Sequence, residues 1–247
     1  MFGRPEQWQA CADHQSGSWR VLNFPLPLLD VKADERAIVA LGEHMIRTMD
    51  AAGMDHAVLA GNSLGGHIAA RMALQFPDRV SGMVLTGSSG LFERGFSNIP
   101  RRPTEAWIRC KMAEVFHDPV HVTDELVEEM VAFLGNIRRV LHMVRIAKCA
   151  KRDSLRDVLH AIKCPVLLIW GENDDVTPPS VGREFHERLP FSHIHFIPRC
   201  GHVPMVEQPA VFNDLVAAFL SGLRSAPSCM ASAMLSVPVP SLQSACA

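Results

Sequence analysis

Short continuous apolar runs alternate along this chain with stretches whose apolar positions recur every three to four residues. Ala57-Val58-Leu59-Ala60, Val80 to Leu85, Pro165-Val166-Leu167-Leu168-Ile169-Trp170 and Ile194-His195-Phe196-Ile197 read as strands, and the continuous apolar run that ends at Trp170 is consistent with a strand covered on both faces. Arg20 to Phe24 also reads as a strand, after a short helix over Glu6 to Asp13. Between Asp34 and Ala52, Ile38, Leu41, Met45 and Met49 fall near one helical stripe, with Gly53 as its stop. A second stripe, Ile68, Met72 and Phe76, ends against Pro77. Strand and helix signals in alternation predict an α/β fold, a mostly parallel sheet with flanking helices.

From about Leu91 to Ile162 the strand signals stop. Glu105 to Phe116, Thr123 to Phe133, Asn136 to Cys149 and Ser154 to Ile162 read as helices, with Pro100, Pro103 and Pro119 as breaks and Thr123 as a cap. The expected division is a core over 1–90 and 163–223, an inserted helical cap over 91–162, and a disordered tail over 224–247. From Ser225 onward that tail is uncharged and rich in Ser, Ala and Pro.

The chemistry concentrates at three strand ends. Gly61-Asn62-Ser63-Leu64-Gly65 joins an apolar strand to a helical stripe, the sequence form of a nucleophile elbow. Small residues there permit a strained turn that projects the Ser63 hydroxyl, and the Leu64 amide at the helix start would face a developing oxyanion. The bland alternative is that Ser63 only caps the helix. The run ending at Trp170 leads into Gly171-Glu172-Asn173-Asp174-Asp175, and the run ending at Ile197 leads into Cys200-Gly201-His202. In open parallel sheets, ligand and catalytic groups gather at such carboxyl ends. The order Ser, acid, His is one of the known orders of a Ser-His-Asp constellation, with either aspartate eligible from the residues alone.

Three segments carry a closer likeness. Gly-Asn-Ser-Leu-Gly-Gly-His from Gly61, Trp-Gly-Glu-Asn-Asp-Asp-Val-Thr-Pro-Pro from Trp170 and Cys-Gly-His-Val-Pro-Met-Val-Glu-Gln-Pro from Cys200 resemble the cap-bearing serine branch of the α/β-hydrolase fold family, over about Met1 to Leu223. The resemblance implies Ser63 as nucleophile, His202 as base and, four residues after the tryptophan, Asp174 rather than Asp175 as the acid. Serine at the elbow disfavours the halide-displacing branch, which uses aspartate there. The resemblance also implies a second oxyanion donor after a central strand ending in His-Gly. Met1-Phe2-Gly3 is similar to the residues just after that pair, so Met1 takes the donor's place, as a mobile ammonium. The family's first strands are therefore expected to be missing, which would leave Arg20 to Phe24 without a central neighbour and the elbow strand with an open edge.

Composition narrows the partners. A chain of 247 residues with net charge −2 suggests neither nucleic acid nor an anionic membrane as partner. It has no phosphate-cradling or dinucleotide motif, so no cofactor is expected, and no apolar stretch of membrane-spanning length. Seven scattered cysteines without a Cys-x-x-Cys pair fit a cytoplasmic location. Cys200 is read as a packing residue. His193 and His195 share a strand face but lack a third ligand nearby, so no metal is expected. His67, just after the elbow, is assigned to packing, and His117, His121 and His142 to the cap's surface or its partly packed parts. Trp107, Met112, Phe116, Phe133, Leu141 and Met143 either line an apolar pocket or form the cap's own core. Arg101, Arg102 and Arg109 are read as a solvated patch in preference to an anion site.

These readings predict hydrolysis of a small, apolar carboxylic ester through an acyl-enzyme. A small molecule is the expected partner, and the oligomeric state is left open. One alternative is carbon–carbon bond hydrolysis of vinylogous diketones. That branch often carries an aromatic residue after the histidine, where this chain has Val203-Pro204-Met205. The other is a truncated, catalytically impaired homologue or a non-catalytic scaffold.

Overall fold

The structure, a computed structural model, describes residues 5–94 and 103–225. Helix α1 (Gln9–Ser16) and α2 (Ala37–Ala51) precede strand β1 (Ala57–Asn62), helix α3 (Leu64–Gln75) and strand β2 (Val80–Thr86). Three helices follow, α4 (Glu105–Ala113), α5 (Asp124–Leu134) and α6 (Ile137–Arg152). The chain then returns through β3 (Val166–Gly171), α7 (Pro179–Arg188), β4 (Ser192–Ile197), the short α8 (Pro204–Glu207) and α9 (Pro209–Ser225). The described strands form one parallel sheet in the order β1-β2-β3-β4, with Leu85 opposite Leu168 and Ile169 opposite His195.

Side chains alternate across each strand and both faces of the sheet are covered, so β1 to β3 are mostly apolar, while β4 at the end of the sheet carries Ser192, His193 and His195. Met83, Leu85, Leu168 and Trp170 point into one core with Ile38 and Leu41 of α2, Ile68 and Met72 of α3 and Phe185 of α7. Val84, Leu167 and Ile169 point into a second core with Phe212 and Val216 of α9 and Cys11 of α1. Helix α1 is clipped to α9 by polar contacts as well: Asn213 Nδ2 donates to Ala10 O at 3.2 Å and Gln15 Nε2 to Asn213 O at 3.2 Å.

Arg20 to Phe24 is not a strand. The segment passes from the face carrying α1 and α9, where Trp19 packs, to the face carrying α2 and α3, where Phe24 packs. β1 closes one end of the described sheet and makes no ladder with it, so this backbone follows the packing of its ends. Val21 and Leu22 are left exposed.

The three helices between β2 and β3 each start at a side-chain cap. Thr104 accepts from Trp107 N, Thr123 from Leu126 N, and Asn136 from Arg139 N. Ile108 and Met112 of α4 pack on Val127 and Met130 of α5 in a small core of their own. α4 is shorter than the predicted Glu105–Phe116. The chain leaves it after Ala113, and the carbonyl of Val115 accepts a hydrogen bond from the amide of His202 at 2.8 Å. Ser154 to Ile162 is a correction too. Leu155, Leu159 and Ile162 have helical spacing and are buried, but the segment is a turn followed by a 3-10 turn over Leu159–Ala161. The Leu155 amide bonds outward to Gly90 O at 2.8 Å, and the three apolar side chains anchor the approach to β3.

Candidate active site

Ser63 stands between β1 and α3 with φ 51 and ψ −118, a backbone conformation that a non-glycine residue adopts only under constraint. Its amide donates to Thr86 O at 3.1 Å, and its carbonyl accepts from Ser89 N and His67 N. Gly61 is required for close approach, since a Cβ there would lie 2.4–2.5 Å from backbone atoms of Gly65 and Gly66. At Gly65 a Cβ would meet nothing among the described residues. Leu64 opens α3, so its N–H is one of the first-turn amides that have no partner within the helix.

Asp174, in the turn after β3, is held on all sides. Its Oδ1 accepts from the amides of Val176 at 2.9 Å and Thr177 at 2.8 Å, and its Oδ2 from the Thr177 hydroxyl at 2.8 Å. The same Oδ2 lies 2.9 Å from His202 Nδ1. Trp170 steadies the turn from below, its indole Nε1 donating to Thr177 O at 2.7 Å. Asp175 points the other way. It is exposed and forms a loose ion pair with Arg94 at 3.7 Å.

His202 is positioned by its backbone. Besides the amide bond to Val115, its carbonyl accepts from Asn62 Nδ2 at 2.9 Å, and that amide group also donates to Thr86 O at 3.1 Å. Asn62, next to Ser63 in sequence, thus joins the elbow to the histidine loop. The buried Glu207 braces the loop from its other side, with Oε1 accepting from Gly201 N at 2.9 Å and Oε2 from His117 N at 2.7 Å.

Ser63 Oγ donates to Glu93 Oε1 at 3.3 Å, and no hydrogen bond joins it to His202 among the described residues. Both Ser63 and Glu93 line a cavity of about 500 Å³ under α4, α5 and α6, whose apolar wall includes Trp107, Met112, Phe133 and Met143. Glu93 is exposed on the cavity side. Desolvation raises its pKa, opposed by the charge of His202 and the Ser63 hydrogen bond. Phe116 instead stacks on His121, and Leu141 is exposed. Arg109 is engaged on the surface by Glu105 and Asp124, and Arg101, Arg102, Met1 and the tail from 226 on lie outside the described residues.

The remaining candidates separate by environment. His67 is fully buried, with Nε2 3.2 Å from Asp153 Oδ2, and Arg71 grips the same carboxylate. This polar bridge between α3 and the end of α6 was not legible in a residue assigned to packing. Cys200 is buried, and burial together with the charges of Glu207 and Asp174 pushes its thiol pKa far up, away from nucleophilic use. His193 is exposed on its strand, and no group of three metal-ligating side chains exists among the described residues. No described helix is long and apolar enough to cross a membrane.

A parallel sheet wound by helices, a serine on a strained strand-to-helix turn and an Asp–His pair from the loops after β3 and β4 describe one family. The chain belongs to the alpha/beta hydrolase family, whose model matches residues 7–215. Among curated proteins it is 33% identical over 190 residues to the 2-hydroxy-6-oxo-6-phenylhexa-2,4-dienoate hydrolase of Burkholderia cepacia, covering 70% of this chain and 65% of that protein. The chain therefore spans about two thirds of the length of this curated relative. A solved alpha/beta hydrolase enzyme from the metagenome of sediments of the Mar Chica lagoon, Morocco, is 30% identical with a TM-score of 0.63, over 80% of this chain and 75% of that one. The meta-cleavage product hydrolase of Pseudomonas fluorescens IP01 is 21% identical, over 90% of this chain and 88% of that one, and with a TM-score of 0.73 shares the fold.

Proposed function

We propose that this chain is a serine hydrolase of apolar carboxylic esters, with Ser63 as nucleophile, His202 as base and Asp174 as its orienting acid. The observation that carries this reading is the buried Asp174–His202 pair, set at the same sheet end as the Ser63 elbow, which itself opens on an apolar cavity. Asp174 accepts the Nδ1–H of His202, which leaves Nε2 unprotonated to take the Ser63 proton. Oγ then attacks the carbonyl carbon, and the Leu64 amide stabilises the oxyanion. Collapse expels the alkoxide, protonated by His202, and water attacks the acyl-serine by the same route in reverse. Rotation of Ser63 from Glu93 to His202 precedes the first step. The segment 91–162 acts as a cap on the core formed by 1–90 and 163–223, shaping the acyl pocket and excluding water.

A second reading, hydrolysis of a carbon–carbon bond in a 2-hydroxy-6-oxo-dienoate, is favoured by the name and 33% identity of the Burkholderia cepacia relative. Against it stands Val203 after the histidine, buried where that branch often has an aromatic residue. Comparing kcat/KM for aryl butyrates with that for 2-hydroxy-6-oxo-6-phenylhexa-2,4-dienoate decides between them. The ester reading predicts Ser63-dependent release of the phenol and slower loss of the dienoate. Faster dienoate cleavage would overturn it.

A further inference from the structure

Glu93 is a charged group that neither the Asp–His pair nor the elbow requires, yet its carboxylate is the hydrogen-bond acceptor for Ser63 Oγ at 3.3 Å. It does not dangle in the cavity. The next residue, Arg94, donates its amide to Val176 O at 2.7 Å, and its guanidinium reaches Asp175 at 3.7 Å, so the segment is tied to the turn that carries Asp174. Glu93 therefore stands beside the nucleophile on the cavity side.

Ser63 and Glu93 line the same cavity, so an ester bound there for attack by Ser63 lies near this carboxylate. The groups facing Glu93 are His202 from the β4 loop, His67 from α3 and Asp174 from the β3 turn, and Lys111 of α4 and Lys148 and Lys151 of α6 line the same cavity. Lys111 is paired with Glu114 at 2.6 Å. As a carboxylate, Glu93 repels a second carboxylate brought next to it and accepts from an ammonium or hydroxyl; it is exposed to the cavity, and a bound substrate that displaces solvent there strengthens both effects.

We infer that Glu93 ranks the esters this site takes: a cationic or hydrogen-bond-donating group beside the scissile carbonyl raises kcat/KM above that of the apolar ester, and a carboxylate there lowers it. With a donor on the substrate, Glu93 exchanges its bond from Ser63 for one from the ligand and frees the serine hydroxyl for His202. A substrate without a donor must break the Ser63–Glu93 bond with no replacement for it, so apolar esters react, but more slowly. This inference rests on Ser63 being the nucleophile.

The test compares aryl esters of glycine, glycolic acid, acetic acid and malonic acid as its half-ester, which differ only in the group beside the carbonyl. In the wild type, kcat/KM for the glycyl and glycolyl esters should exceed that for the malonyl ester at least tenfold. Glu93→Gln should bring the ratio within about threefold, and Glu93→Lys should reverse it. Glu105→Gln, which removes a carboxylate on the outer surface of α4, should leave it unchanged. Fluorophosphonates bearing the same substituents give the same ratio from Ser63 labelling rates, without need of turnover. Ser63-dependent reaction with a ratio unmoved by Glu93→Gln and Glu93→Lys would overturn this inference alone. Reaction that survives Ser63→Ala would overturn the proposed function instead, and no reaction with any ester or probe counts against both.

Discussion

His202 Nδ1 lies 2.9 Å from Asp174 Oδ2, and neither side chain is more than 7% exposed. Asp174 takes part as a carboxylate already satisfied by two amides and a hydroxyl, so it has one direction left in which to accept a proton's hydrogen bond. Asp175, its neighbour, is solvated. Asp174→Asn places an amide where His202 needs an acceptor and favours the wrong tautomer. The expected loss in kcat is about 10⁴-fold, in line with such changes elsewhere. Asp175→Asn should cost less than threefold. Equal losses in steady-state assays would contradict the assignment.

Gly87 follows β2 with φ +47, and a Cβ there would come within 2.7 Å of His202 Nδ1 and 3.1 Å of Asp174 Oδ2. Gly87→Ala should therefore push the histidine off its aspartate and lower kcat by roughly 100-fold or more, by the sensitivity of reacting groups to displacements of about 1 Å. The circular dichroism of the variant should match the parent's. Retained turnover would mean the loop yields without moving the pair.

Asp153 ties α6 to α3. Burial opposes its ionisation, but the hydrogen bonds from His67 and Arg71 and the charge of Arg71 outweigh that and hold its pKa at about 2, below the usual 3.8. A carboxyl with a lowered folded pKa contributes stability that is full above its unfolded pKa and is lost as pH falls through the folded one. The window is thus about pH 4 to 2, and the contribution is about 2 kcal/mol. Asp153→Asn should lower stability at pH 7 and flatten the acid limb in that window, as read by urea unfolding at several pH values. An unchanged acid limb would show that the bridge contributes nothing.

Thiol reactivity should follow burial. Cys110 is exposed and Cys200 buried, with its thiol pKa raised by desolvation and two neighbouring carboxylates. Under native conditions iodoacetamide should modify Cys110 within minutes to hours and spare Cys200, as resolved by peptide mass mapping. Activity that falls in step with Cys200 alkylation would contradict its reading as a packing residue.

The strands at Ala57, Val80 and Val166 were legible because burial keeps them mostly apolar, and the one at Ser192 through Ile194, Phe196 and Ile197 in spite of its histidines. The same apolar signal at Arg20–Phe24 misled, since a strand also needs a partner, and periodicity says nothing about neighbours. Leu155, Leu159 and Ile162 show the converse: helical spacing also serves three anchors in an irregular turn. Ser63 and His202 stand out through local motifs. The choice of Asp174 over Asp175 needed the family resemblance, because it depends on how the turn after Trp170 bends. Glu93, Glu207 and Asn62 act through contacts with residues distant in sequence, and a lone glutamate or asparagine carries no local signal of that.

The most direct test of the central claim is intact-mass analysis after treatment with a neutral alkyl fluorophosphonate, for the wild type and Ser63→Ala side by side. The account predicts a single adduct on the wild-type chain, mapped to the peptide carrying Ser63, and none on Ser63→Ala. Folded wild-type protein that stays unmodified, or a variant modified as fast as its parent, would contradict it.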